Sequence, residues 1–325
     1  MLAREGAVFN GDKVLCRTPL LIPSFSSKGF PELKKILAMM GEFITESVLV
    51  SAYDEHYKFL RSKKLTFPSV IFLDSGGYEA RVEHDLSESY GQDYRPKKWT
   101  AKQHREVLDA WSPTQSAVAI TFDSPHRHSR IERQIDAALK LKARYPQFVH
   151  ELLIKPEKKG EFINLESVER VITQLRDFPV IGLTEQELDT KLIAKMEKIA
   201  VIRRLLDKNN IKSPIHIFGS LDTFVTPLFF LAGAEIFDGL TWLRFGYFEG
   251  QTVYRQNYGA MCGANGILKS AQELSHAMWK DNYYYLESLR DQMRNFARSG
   301  KYEHFGKIGG QLQHAVQQME SRLPT

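Results

Sequence analysis

Apolar positions along this chain fall into two kinds of stretch that take turns from one end to the other. Short runs that are continuously apolar or alternate with a period of two read as buried strands, and longer stretches with apolar residues every three or four positions read as helices. Residues 20–25, 47–53, 70–74, 116–123, 148–155, 178–183, 214–219 and 235–240 are the strands by this reading. Helical patterns lie between them at 31–41, in a short segment ending at Leu60, and at 100–111, 129–144, 165–175, 184–206 and 223–232. Ile131, Ile135, Ala138 and Leu141 share one helix face, and Thr100 with Gln103 and Thr184 with Glu187 have the spacing of a capping box.

Strict strand–helix alternation implies parallel strands, and eight of them closing on themselves make a (β/α)8 TIM barrel. The predicted class is therefore α/β, with a barrel over residues 1–249. Residues 250–325 form a helical C-terminal extension, in which Tyr284, Leu286, Leu289, Met293 and Phe296 recur at helical spacing and pack against the barrel. The 325 residues would also fit two average domains, but no linker, internal repeat or low-complexity break divides them. Residues 79–98 are polar and irregular, too long for an ordinary connection, which marks them as a functional loop.

Composition narrows the setting. Hydrophobic residues at 43% and charged residues at 26% suit a globular chain with a sizeable core. No run reaches the roughly 18 apolar residues of a membrane span, and Met1 to Gly6 lacks the apolar run of a secretory signal. Two cysteines, Cys16 and Cys262, could form one disulfide but point rather to reduced thiols and a cytoplasmic setting. The net charge of +5 and pI near 9.0 allow a polyanionic partner without requiring one. Arg95, Lys97, Lys98, Lys102 and Arg105 form one basic cluster, and Arg127, Arg130 and Arg133 another; each reads equally as a solvated face.

Candidate chemistry gathers at strand ends. Val70 to Leu73 runs into Asp74-Ser75-Gly76-Gly77-Tyr78, which delivers a carboxylate to the rim of a sheet and leaves a backbone free of Cβ atoms. The same residues also spell an Asx-turn closing an ordinary strand. Asp123 and Asp238 end two further strands, so three carboxylates converge on the C-terminal mouth, where barrel active sites lie. Two of them facing one anomeric carbon could act as nucleophile and as general acid then base, and a third with the Gly182 backbone could read the edge of a base. His126 and His128, near Asp123, spell a competing metal-hydrolase reading or, more plainly, two exposed loop histidines.

At these motifs the chain resembles the tRNA-guanine transglycosylase superfamily, enzymes that exchange guanine in a nucleic acid for a 7-deazaguanine base. Asp74-Ser75-Gly76-Gly77-Tyr78 is similar to its Asp-Ser-Gly-Gly-Phe signature, Phe122-Asp123 to its base-recognising aspartate, and Ile181-Gly182-Leu183 to its Gly-Gly-Leu segment. Residues 233–238 resemble the block carrying the nucleophile, with Arg244 near the place of a following arginine; residues 18–24, 49–53, 282–286 and 290–294 extend the likeness. The resemblance implies Asp238 as nucleophile, Asp74 as general acid/base, and Asp123, Gly182, Leu183, Ser75, Gly76, Gly77, Tyr78 and Arg244 around the base and its nucleotide.

Departures from the pattern are as informative. The tRNA-directed members carry a Cys-x-Cys-x-x-Cys…His zinc site after the eighth strand. Here that region holds Cys262 alone, and Asp281 stands where the histidine would fall, which implies no metal. Lys155-Pro156-Glu157 replaces a glutamine, and the arginine-rich run after the nucleophile thins to Thr241-Trp242-Leu243-Arg244. Changed grip around a retained chemical core resembles the DNA-directed branch, which implies a 7-deazaguanine (preQ0-like) as co-substrate, DNA as partner and no cofactor. A tRNA substrate, or a non-catalytic nucleic-acid-binding subunit acting with other protein subunits, is the alternative.

Overall fold

A computed structural model describes residues 1–81, 94–124 and 128–323. Eight parallel strands close into a barrel: β3 (Leu20–Phe25), β4 (Ser47–Ser51), β5 (Val70–Asp74), β6 (Ser116–Ile120), β7 (Val149–Ile154), β8 (Val180–Thr184), β9 (Ile215–Phe218) and β10 (Ile236–Gly239), with β10 pairing back onto β3. Between them run α1 (Leu33–Met40), α2 (Ala52–His56), α3 (Ala101–Ala110), α4 (Ile131–Arg144), α5 (Leu165–Arg170), α6 (Leu192–Lys208) and α7 (Val225–Leu231). The (β/α)8 barrel of the sequence reading is the fold.

Strand periodicity sorts the side chains. Leu20, Ile22, Val70, Phe72, Val118, Ile120, Val180 and Ile236 fill the barrel interior, while Leu21, Ile71, Leu73, Ala119, Ile181 and Phe237 face the helices. A hairpin ahead of the barrel, β1 (Gly6–Asn10) and β2 (Lys13–Thr18), contributes Val8 and Cys16 to the interior cluster and so stoppers the N-terminal end. Asn10-Gly11 at its tip, with Gly11 at φ +59°, is its mark in the sequence.

The boundaries differ from the periodicity in places. The helix expected from Thr184 begins instead as a 3-10 turn, Glu185–Glu187, and α6 starts at Leu192 with no side-chain cap. The cause is a contact distant in sequence: Glu187 is drawn 2.6 Å from Lys155 Nζ and is not spent on a capping box. The ladder of the 116–123 strand ends at Ile120, so Asp123 lies beyond it. Residues 165–175 divide into α5 and a 3-10 turn.

The C-terminal region opens with α8 (Thr241–Arg244), the hairpin β11 (Gly246–Phe248) and β12 (Gln251–Val253), and the short α9 (Arg255–Met261) and α10 (Ala264–Ile267). Then comes α11 (Ala271–Ser299), longer than its 280–298 apolar pattern because a Ser270–Glu273 capping box starts it earlier. Asn282 Nδ2 donates to the carbonyls of Trp242 and Phe245, and its Oδ1 accepts from the Tyr247 N–H, which fixes the helix to the chain just after β10. α12 (Gly309–Glu320) follows. Among the described residues no helix is long and apolar enough to cross a membrane.

Candidate active site at the barrel mouth

Since inward positions on a strand come every second residue, the interior series on each strand continues to its C-terminal end. Ser24, Asp74, Lys155, Thr184, Phe218 and Asp238 extend it into a cavity of about 510 Å³. Of the residues expected from sequence, Asp74, Ser75, Gly77, Tyr78, Asp123, Asp238 and Arg244 line that cavity. Gly76, Gly182 and Leu183 do not. The Leu183 side chain is buried toward the helices.

The Gly76 N–H donates to Asp74 Oδ2 (3.0 Å), so the Asx-turn is present and the carboxyl also faces the cavity. The two readings of this stretch coexist. Gly76 has φ +86°, and a Cβ there would fall 2.6 Å from the Tyr53 Cβ. A Cβ on Gly77 would fall 2.6 Å from Asp123 Oδ2, so the space that glycine opens is filled by the neighbouring carboxylate. Ser75 is fully buried, and its hydroxyl accepts from the Asp123 N–H (3.1 Å), joining the two strand ends.

Burial pushes the Asp74 carboxyl up to about 7, and the negative charges of Glu79, Asp238 and Asp123 add to it against the opposing Gly76 N–H. Glu79, missed in the sequence reading as a member of the site, is 3% exposed and accepts from the hydroxyls of Ser26 (2.5 Å) and Ser51 (2.8 Å). Asp54 lies behind it, accepting from the Ser27 N–H and hydroxyl. Burial raises both groups as well, Asp54 well above the usual carboxylate range. A like-charged, buried surround of this kind keeps a proton on a carboxyl near neutral pH.

Asp238 sits on β10 with 5% exposure. Its Oδ2 accepts from the Ser24 hydroxyl (2.7 Å), which in turn accepts from the Gly239 N–H (3.1 Å). Its Oδ1 accepts from the Gly219 N–H (3.3 Å) and lies 3.2 Å from His216 Nε2. His216 Nδ1 is 2.8 Å from Glu151 Oε1, so a fully buried chain runs from Glu151 through His216 to Asp238. Burial alone would lower the His216 ring; Glu151 and Asp238 override it and raise it to about 9. Gly182 belongs to this layer, for a Cβ there would meet Glu151 Oε1 and the Phe218 ring, each at 2.7 Å.

The opposite wall is built from cations and acids in alternation. Arg81 Nη2 donates to both oxygens of Asp123 (3.1 and 2.9 Å), and Lys155 Nζ is 3.2 Å from Oδ2. Arg244 Nη2 donates to the Tyr78 hydroxyl (2.8 Å), and Lys28 Nζ stands 4.2 Å over the Tyr78 ring, covering one of its faces. Arg95, Lys97, Lys98, Lys102, Arg130 and Arg133 lie exposed where the chain leaves the rim after β5 and β6. His126 and Arg127 lie outside the described residues, as do residues 82–93 of the long loop; His128 Nδ1 is 3.4 Å from the Pro156 carbonyl.

Ser24, Glu79, Arg81, Glu151, Lys155 and His216 are thus the site residues that the strand-end pattern did not select. His216 does leave a signal, as an ionisable residue inside an otherwise apolar run, and Glu151 follows His150 inside another buried strand. Among the described residues no group of three or more His, Cys, Asp and Glu could hold a metal. Cys262 and Asp281 supply two donors, not the four of a structural zinc, and Asp281 accepts from the Tyr258 hydroxyl. Both cysteines are free.

Fold and site together define a TIM barrel with a carboxyl-rich pocket at the C-terminal ends of its strands. Compared with known proteins, the chain matches no protein-family model, and a search of curated proteins returns no relative.

Proposed function

We propose that this chain is a base-exchange transglycosylase resembling the tRNA-guanine transglycosylase superfamily, and that it replaces guanine in DNA with a 7-deazaguanine carrying a cyano or aminomethyl group. The observation that carries the reading is the pairing of Asp238 with Asp74 across one cavity. One is oriented by Ser24, Gly219 and His216; the other has a carboxyl raised to about 7. Two carboxyls in unlike surroundings, opposite one another, suit a nucleophile and an acid/base.

Asp238 attacks C1′ of the target nucleotide as the bond from C1′ to guanine breaks, and Asp74 gives its proton to the departing base. The glycosyl-aspartate so formed keeps the nucleic-acid chain intact. The incoming base then loses its ring proton to Asp74 and attacks C1′, and the Asp238 carboxylate leaves. Net stereochemistry is retained after two displacements. The target base must leave its stack to reach the cavity, and the exposed cations beside the rim suit the phosphates flanking it.

Labelled guanine incubated with the protein and with DNA or tRNA tests this. Label is expected to enter DNA, and to be displaced from it by the 7-deazaguanine. Label entering tRNA alone would overturn the DNA assignment. Entry into neither would favour a non-catalytic subunit.

A further inference from the structure

We propose that His216 is a positioning residue for the nucleophile: a buried imidazolium, anchored by Glu151, that donates to Oδ1 of Asp238 and leaves Oδ2 as the attacking oxygen. The inference rests on Asp238 being the nucleophile of the proposed exchange. Its basis is geometric. Nδ1 is hydrogen-bonded to Glu151 Oε1 (2.8 Å), and Nε2 lies within ion-pair distance of Asp238 Oδ1 (3.2 Å), close but not aligned as a hydrogen bond until the ring turns slightly. A neutral imidazole carries a single N–H and could donate to only one of them. Glu151 and His216 are both fully buried, so breaking either contact strands a charge in the barrel interior.

The surroundings favour that state. Glu151 from β7 and Asp238 from β10 are the ionisable groups facing the ring, while Phe72 meets its edge and Phe218 stacks on it with centroids 4.0 Å apart. Gly182 is what allows the anchor, because any side chain there would displace the Glu151 carboxylate. During attack the new bond forms from Oδ2 to C1′, and Oδ1 becomes the ester carbonyl oxygen, still facing the His216 and Gly219 N–H groups. In the second displacement the same donors receive the charge returning to the carboxylate. His216 gives up no proton in either step.

Histidine-selective nitrogen-15 NMR on the full chain, without nucleic acid, tests the charge state. His216, assigned by its absence in His216→Gln, is expected to hold both ring protons at about pH 8, below its raised value of about 9. A singly protonated ring at that pH overturns the proposal. Glu151→Gln is expected to bring the loss of the second proton to lower pH; an unmoved titration would equally overturn it. In exchange kinetics His216→Gln is expected to lower kcat about 100-fold, the scale for removing a preorganised donor, with KM for the base unchanged. An unchanged kcat would overturn the positioning role. His216→Asn provides the assignment if His216→Gln does not fold. A doubly protonated His216 in a protein that exchanges no base upholds the buried chain and counts against the transglycosylase reading alone.

Discussion

At its N-terminal end the barrel buries Glu235 against Arg203 (3.5 Å), with Arg4 and Asp207 beyond; at its C-terminal end Asp74 stands half-buried at the cavity among Glu79, Asp54, Asp123 and Asp238. Burial raises Glu235 and Asp74 alike, each to about 7. The neighbours then act in opposite directions. Arg203 and Arg4 pull Glu235 down, and the Ile215 N–H helps, so that carboxyl is part of a matched structural network. The acids around Asp74 push it further up, and among the described residues its side chain accepts only from the Gly76 N–H. A raised carboxyl is therefore no mark of function by itself. The sign of its partners is what separates a pairing that holds the fold from one that serves chemistry.

Exchanging the two ends' roles by mutation gives the sharpest contrast. Asp238→Asn is expected to lower exchange on the order of 10⁶-fold, as loss of a nucleophile does, and Asp74→Asn by about 10²- to 10⁴-fold, as loss of a general acid/base does. Denaturant titration should find Asp74→Asn as stable as wild type or more so, because it removes a charge from like-charged neighbours. Loss of stability without loss of exchange would reverse the assignment. Glu235→Gln should behave the other way. It is expected to leave exchange per folded molecule unchanged and to act on stability alone, removing the loss that Glu235 contributes as pH rises from about 4 to 7.

The pH dependence is the next largest effect. In the proposed exchange Asp74 gives a proton to the leaving guanine, so single-turnover guanine release should fall as pH rises through about 7. Glu79→Gln removes a negative neighbour and should move that fall to lower pH; a limb that stays put would remove Glu79 from the account. Stability follows the same protons. Asp74 and Glu235 both titrate higher folded than unfolded, so the folded state binds more protons between about pH 4 and 7 and loses stability across that window as pH rises. Smallest is Gly182→Ala, whose overpacking against Glu151 and Phe218 should cost about 1–3 kcal/mol.

The barrel was legible because strand and helix periods differ and alternate without interruption. Pairings beyond the period were not. The β1–β2 stopper is short and half exposed, and Thr184–Glu187 has a capping spacing whose glutamate is claimed by Lys155, a residue 32 positions back in the chain. In the site, carboxylates at strand ends stand out because they terminate apolar runs. Ser24, Glu79 and Glu151 act through partners far away in sequence, which only closure of the barrel brings together. Gly77 and Gly182 were visible as glycines, but the side chains filling their space, Asp123, Glu151 and Phe218, were not.

The most direct test of the paired-carboxyl account is to trap the intermediate. The protein would be mixed with a guanine-containing DNA oligonucleotide, quenched in denaturant without an incoming base, digested, and examined by mass spectrometry for a nucleotide-bearing peptide. An adduct on Asp238, formed by wild type and absent from Asp238→Asn, is the predicted result. An adduct on Asp74, or one that persists in Asp238→Asn, would contradict it.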